Sequence, residues 1–155
     1  MRGVWFCILT ETNWPKVRDN CLYGVPKSKE PYRRISKTKP GDILIFYIRS
    51  PVKGIVGIYE VASNVFEESE YFPWEDRLYP YRIRIKPVSD DLKELPKPIP
   101  LEAFVGKVSK IKSPKAFMGK SMVSFSEEDY EFIKSLIKKG KKGINIKTKS
   151  SEDIL

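Results

Sequence analysis

Apolar residues in this chain come in short runs separated by prolines, glycines and charges, which predicts several short strands and few helices. "VWFCIL" (4–9) and "ILIFYI" (43–48) are unbroken apolar runs, the pattern of strands buried on both faces. "GIVGIYEVA" (54–62) predicts a third strand, and Gly57 inside it predicts a bulge or a close approach by another part of the chain. "YPYRIRIKPV" (79–88) alternates, with Tyr81, Ile83 and Ile85 on one side and Arg82, Arg84 and Lys86 on the other, so its basic side is expected in solvent.

Helical signals are fewer. "TNWPKVRDN" (12–20) reads as a short helix, with Asn13 as a cap and Pro15 tolerated in the first turn because its missing N–H would have no helical partner. "SFSEEDYEFIKSLIKKG" (124–140) is the clearest helix. Ser126 caps it, acids fill its first turn, Phe132, Ile133, Leu136 and Ile137 form the apolar stripe, and Gly140 is the expected stop. "KPGD" (39–42) predicts a turn with positive φ at Gly41. "PKPIP" (96–100) and "SPKAFMGKSM" (113–122) read as irregular connections. The pattern predicts an α+β fold built on a small curved or closed sheet, with residues 1–142 as one domain and 143–155 as a mobile basic tail.

Composition narrows the chemistry. The chain has 155 residues, a net charge of +9, two cysteines and no histidine. Two thiols without histidine cannot complete a four-ligand zinc site within one chain, so no metal and no cofactor are expected. The usual general base near neutral pH is missing as well, which argues against an enzyme. Cys7 lies in an apolar run and is expected to be a buried, reduced thiol. No apolar stretch approaches the length of a membrane span, so a soluble cytoplasmic protein is expected. The abundance of Lys, Glu and Ile, with no Gln or His, resembles the bias of hyperthermophilic proteins.

Charge is clustered. Lys27, Lys29, Arg33, Arg34, Lys37 and Lys39 crowd one segment, and residues 104–120, which include Lys107 and Lys120, hold no acid. Such clusters point to a polyanionic partner, most often nucleic acid. One segment runs the other way. Glu67, Glu68, Glu70, Glu75 and Asp76 accompany Tyr71, Phe72, Trp74, Tyr79 and Tyr81 in the connection before the alternating strand. Rings in an otherwise polar connection can wall a slot for a flat group, and stacking a base on a ring contributes about 1–3 kcal/mol. Trp74, between Pro73 and two acids, is the candidate ring; Tyr23, followed by Gly24, is a second, and Asn13 offers a side-chain amide at a helix start.

The ordered blocks "VWFCILTETNW", "LYGVPK", "KPGDILIFY", "IVGIYEV", "YPYRIRIKP" and "FMGKSM" resemble the EVE-domain proteins of the PUA-like superfamily, and most of all their archaeal and bacterial branch. The resemblance implies a PUA-like pseudo-barrel and kinship with YTH domains, which hold a methylated adenine in an aromatic cage. It also implies binding of DNA or RNA through a single modified base. Tyr23 stands where the family usually has a cage tryptophan, in a block typically reading Trp-Gly-Val-Pro, which brings Gly24 and Val25 into the expected pocket. Asn13 matches a polar residue that contacts the base edge. Trp74 falls in the variable loop that supplies the second wall, with Tyr71 and Phe72 as alternatives. Lys27, Lys29, Arg33, Arg34, Lys37, Lys107 and Lys120 are the expected phosphate contacts. A module for RNA modification and a protein-interaction module using the acidic loop are the competing readings.

Overall fold

The computed structural model describes residues 2–68, 79–113 and 120–154, with side chains described as far as residue 140. Its strands are β1 (Val4–Leu9), β2 (Leu22–Val25), β3 (Ile43–Ile48), β4 (Gly54–Val61), β5 (Phe66–Glu67), β6 (Tyr81–Pro87), β7 (Ile99–Pro100) and β8 (Met122–Phe125). Its α-helices are α1 (Asn13–Asn20), α2 (Lys29–Ile35) and α3 (Glu127–Ile154). The strands form one mixed sheet in the order β2-β6-β4-β3-β1-β8, with β5 beside β6 and β7 beside β4. β1 and β3 run parallel, and the other described strand pairs are antiparallel. The expected α+β class holds.

β3 explains why the sheet has two cores. All its residues are buried, and they alternate. Leu44, Phe46 and Ile48 join one apolar cluster with Trp5, Cys7, Trp14, Tyr23 and Tyr59. Ile43, Ile45 and Tyr47 join another with Phe6, Phe104, Phe125 and Ile133. An unbroken apolar run therefore has two faces to fill, and the chain fills one with α1 and β2 and the other with α3 and the turns after β7.

Gly57 sits where this alternation breaks. Phe46 pairs with Gly57 while the next residue, Tyr47, pairs with Ile55, so Val56 is the extra residue of a bulge. A Cβ on Gly57 would lie 2.9 Å from Cη2 of Trp14 and 3.0 Å from the Lys93 carbonyl oxygen. Both readings of Gly57 from sequence, bulge and close approach, apply. The approach has a consequence for the helix: the Trp14 indole, tilted 5.5 Å from Phe46 and edge-on 6.0 Å from Tyr59, pins α1 against the sheet.

Turn and cap chemistry follow the sequence closely at two places. Gly41 has φ of 96°, and the Asp42 N–H donates to the Lys39 carbonyl across the turn at 3.0 Å. At the start of α3, the Ser126 hydroxyl accepts the Asp129 N–H at 3.0 Å while the Asp129 carboxylate accepts the Ser126 N–H at 3.0 Å, a reciprocal cap. Asp129 also accepts the Ser109 N–H and hydroxyl, tying the turn before β8 to the helix. The far end of α3 departs from expectation. Gly140 does not take the positive φ of a helix-ending residue, so the helix runs through it to Ile154, past the expected boundary at 142.

The basic side of β6 departs too. Arg84 and Lys86 are exposed, but Arg82 is completely buried. Alternation predicted solvent there. The partner that makes burial tolerable, Glu68, comes from earlier in the chain and donates nothing to the local pattern.

Two measurements test these packing statements. Gly57→Ala should lower unfolding free energy by about 1–3 kcal/mol, the usual cost of overpacking, as read by urea denaturation; an unchanged midpoint would contradict the Trp14 contact. The second concerns acid. Burial raises the Asp129 carboxyl, but the hydrogen bonds from Ser109 and Ser126 outweigh it and hold its pKa below the ordinary value. A depressed folded pKa gives stability that is complete above the unfolded value and lost as pH falls through the folded one. The stability advantage over Asp129→Asn should thus be constant above about pH 5 and shrink below about pH 4. An advantage that grows in acid would contradict this.

Candidate functional site

Tyr23 lies in β2 opposite Ile83 of β6, on the face that fills the first core. Its ring is 1% exposed and stands edge-on to Phe46, 5.5 Å away. The hydroxyl donates to the Ser121 carbonyl at 3.3 Å and is hydrogen-bonded to the Cys7 thiol. Burial, with Cys7 beside it, pushes the phenol well above its ordinary pKa, and burial pushes the Cys7 thiol up too. Both groups stay protonated, the opposite of what a nucleophile or general base needs.

The Ser121 contact does more than satisfy a hydroxyl. β2 and β8 are the two ends of the sheet path, and Ser121 immediately precedes β8. Arg34, near the end of α2, adds a second bridge by donating to the Met122 carbonyl at 2.9 Å. Side chains therefore curl the ends of the sheet together where strand pairing does not. Arg34, expected on a phosphate, is committed to this bridge and lies 3.6 Å from Glu30. Arg33 is paired with Glu30 at 2.9 Å.

Asn13 opens α1 beside this end of the barrel. It was expected to cap the helix, and it does not. Thr12 holds the cap position without a side-chain bond, and the Thr10 hydroxyl accepts the Asn13 N–H at 3.1 Å. Asn13 is only 7% exposed as a residue, and its amide makes no hydrogen bond among the described residues but is not sealed from solvent. Such an amide, on a largely buried residue yet in reach of solvent, is open to a ligand's donor or acceptor.

Gly24 and Val25 follow Tyr23 in β2, opposite Arg82 and Tyr81. Arg82 organises the neck of the acidic, aromatic connection. Its Nε donates to the Tyr79 carbonyl at 2.8 Å and a terminal nitrogen donates to Glu68 at 3.0 Å, while the Glu68 N–H donates to the Pro80 carbonyl at 2.8 Å. Both ends of that connection are thereby held against the strand that pairs with Gly24. Trp74, Tyr71 and Phe72 lie outside the described residues.

Of the expected phosphate contacts, Lys27, Lys29 and Lys37 are exposed around α2, and Lys120 is exposed next to Ser121. Lys27 and Lys29 follow β2 in the chain, and Lys120 precedes Ser121, whose carbonyl accepts the Tyr23 hydroxyl. Lys107 is elsewhere, in a turn whose neighbours Phe104 and Val108 pack into the second core. Two features escaped sequence reasoning: the buried Arg82 clasp, and Tyr32, whose ring lies against Tyr81. For Arg82 the only sequence signal was an arginine beside an acidic segment. Among the described residues no cluster of three or more potential metal ligands occurs, and no helix is long and apolar enough to cross a membrane.

Known proteins share this architecture. The human THYN1 protein in complex with 5-methylcytosine-containing DNA superposes with a TM-score of 0.60 at 14% identity, covering 88% of this chain and 98% of that one. The YTH domain-containing protein mmi1 in complex with RNA superposes with a TM-score of 0.60 at 16% identity, covering 86% and 81%. These likenesses establish the PUA-like fold. In sequence, a UPF0310 protein of Pyrococcus abyssi is 35% identical over 150 residues, 86% of this chain and 98% of the relative. The EVE domain model matches residues 4–136, and this chain belongs to the EVE-domain family.

Proposed function

We propose that this chain is a non-catalytic nucleic-acid-binding domain that captures one modified base at the end of the barrel where α1, β2 and the neck of the aromatic connection meet. The Asn13 amide carries the reading: it belongs to a largely buried residue at the start of α1, makes no hydrogen bond among the described residues and is not sealed from solvent. An amide offers a donor and an acceptor side by side, which matches the edge of a base. The fold relatives support the partner class, since THYN1 is seen with methylated DNA and mmi1 with RNA. The neutral state of the buried Cys7 and Tyr23 supports a binding role over catalysis.

In this reading Tyr23, Gly24 and Val25 form one wall and Trp74 supplies the stacking ring from the opposite side. Because the Tyr23 ring is 1% exposed, base entry requires the groups over it to move aside, and that rearrangement subtracts from the affinity. Lys27, Lys29, Lys37 and Lys120 hold phosphates around the opening. They add affinity without sequence information.

Binding of single-stranded oligonucleotides with and without one methylated base tests this. Asn13→Ala should weaken the modified ligand about 2- to 10-fold, the worth of one hydrogen bond, and leave the melting temperature nearly unchanged. Trp74→Ala should cost about 1–3 kcal/mol. Alanine at Lys27, Lys29 and Lys37 should weaken both ligands alike and flatten a salt dependence of about −0.7 per phosphate contact on single strands. An Asn13→Ala protein that loses stability but keeps base preference would place the pocket elsewhere.

A further inference from the structure

Tyr32 is 46% exposed and belongs to α2, while the apolar anchor of that helix, Ile35, is fully buried. Its ring lies 4.4 Å from the ring of Tyr81, tilted by 53°. Tyr81 in turn is half-buried, pairs across the sheet with Val25 and packs against the first core. One ring of the pair thus rests on the barrel, and the other leaves much of its surface in water.

The charge on the α2 side of this pair is mainly positive, whereas Glu67, the exposed cross-strand neighbour of Tyr81, lies on its other side. Lys27, Lys29, Lys37 and Lys39 are exposed and carry no ion pair among the described residues. The acid of α2, Glu30, is already taken up by Arg33 and Arg34. An exposed aromatic surface set in unneutralised cations fits a chain that is both polyanionic and flat-sided. That describes single-stranded nucleic acid, whose bases stack on rings while its phosphates meet lysines. Double-stranded segments offer the phosphates without the free base faces.

We propose that Tyr32, supported by Tyr81, is a stacking platform for a nucleotide flanking the captured base, so that this domain reads its base within a single-stranded segment. The proposal rests on the nucleic-acid-binding reading above and adds a second contact outside the pocket. Tyr81 sets the height and tilt of the Tyr32 ring. The lysines around α2 lead the backbone from the pocket opening onto it.

The test is a two-by-two comparison with single-stranded oligonucleotides of about seven nucleotides carrying one methylated base. Tyr32→Leu keeps an apolar cover over Tyr81 but removes the stacking face. It should leave the melting temperature unchanged and weaken oligonucleotide binding roughly 5- to 100-fold. The isolated methylated nucleoside should bind both proteins equally. An abasic site at one flanking position should weaken the wild-type protein by a similar factor and leave the Tyr32→Leu protein unaffected. If Tyr32→Leu binds the oligonucleotide as the parent does, or no abasic position cancels its effect, the platform is refuted while the pocket reading stands. If polyglutamate of matched length competes equally well and depends equally on Tyr32, the surface serves acidic peptides and the proposal is likewise overturned. If the parent protein binds no oligonucleotide at all, both readings fall together.

Discussion

A sheet can become a barrel only if something closes the gap between its end strands, and here that is done by side chains. Tyr23 reaches from β2 to the Ser121 carbonyl, and Arg34 reaches from α2 to the Met122 carbonyl. Each bond alone contributes about 1 kcal/mol. Together they decide geometry more than stability, because they set the distance between the first and last strands of the path. The phenol hydroxyl gives a physical reason for tyrosine where relatives are expected to carry tryptophan: it sets a donor at the tip of the ring, in line with the Ser121 carbonyl, whereas an indole carries its N–H on the side of the ring. The same residue is proposed as a pocket wall. On that proposal closure and ligand contact meet in one side chain, and opening at Tyr23 is coupled to the curl of the sheet.

The second constraint comes from burying both faces of β3. One face needs a bulky filler, and Trp14 supplies it by lying on Gly57 at the bulge. That contact fixes the position and rotation of α1, and with them the direction of Asn13, the residue just before Trp14. A packing requirement deep in the sheet is thereby transmitted to a polar group at the rim. The opposite end of the barrel is built differently. There Asp129 is saturated by Ser109 and Ser126, a fully satisfied network with no group left to offer a ligand.

Much of the fold could be read from the chain because β1, β3 and β4 are apolar runs whose meaning is local, and because Gly41, Gly57 and Ser126 each carry a conformational requirement. What could not be read depends on distant partners. β2 is four residues long with a glycine inside, and it exists as a strand because β6 pairs with it. α2 carried no helical signal, only a cluster of basic residues; Pro31 falls in its first turn, where a missing N–H is harmless, so the helix forms around it. The buried Arg82 was hidden by an alternating pattern that said solvent, since its partner Glu68 is fourteen residues away in sequence, as their 68 and 82 numbering shows. For the site, the sequence singles out Asn13 and Tyr23 as candidates, but only the three-dimensional arrangement shows an amide without a hydrogen bond among the described residues and a ring enclosed.

On the proposed function, one end of the barrel binds the ligand and the other end is structural. Backbone-amide chemical shifts, followed while a single-stranded oligonucleotide with one methylated base is titrated in, test that division most directly. The shifts should change at residues 13–17, 22–25, 27–35, 81–82 and 120–122, and stay fixed at Ser109 and residues 126–130. Changes centred on Ser109 and the start of α3, or spread evenly over the chain, would contradict it.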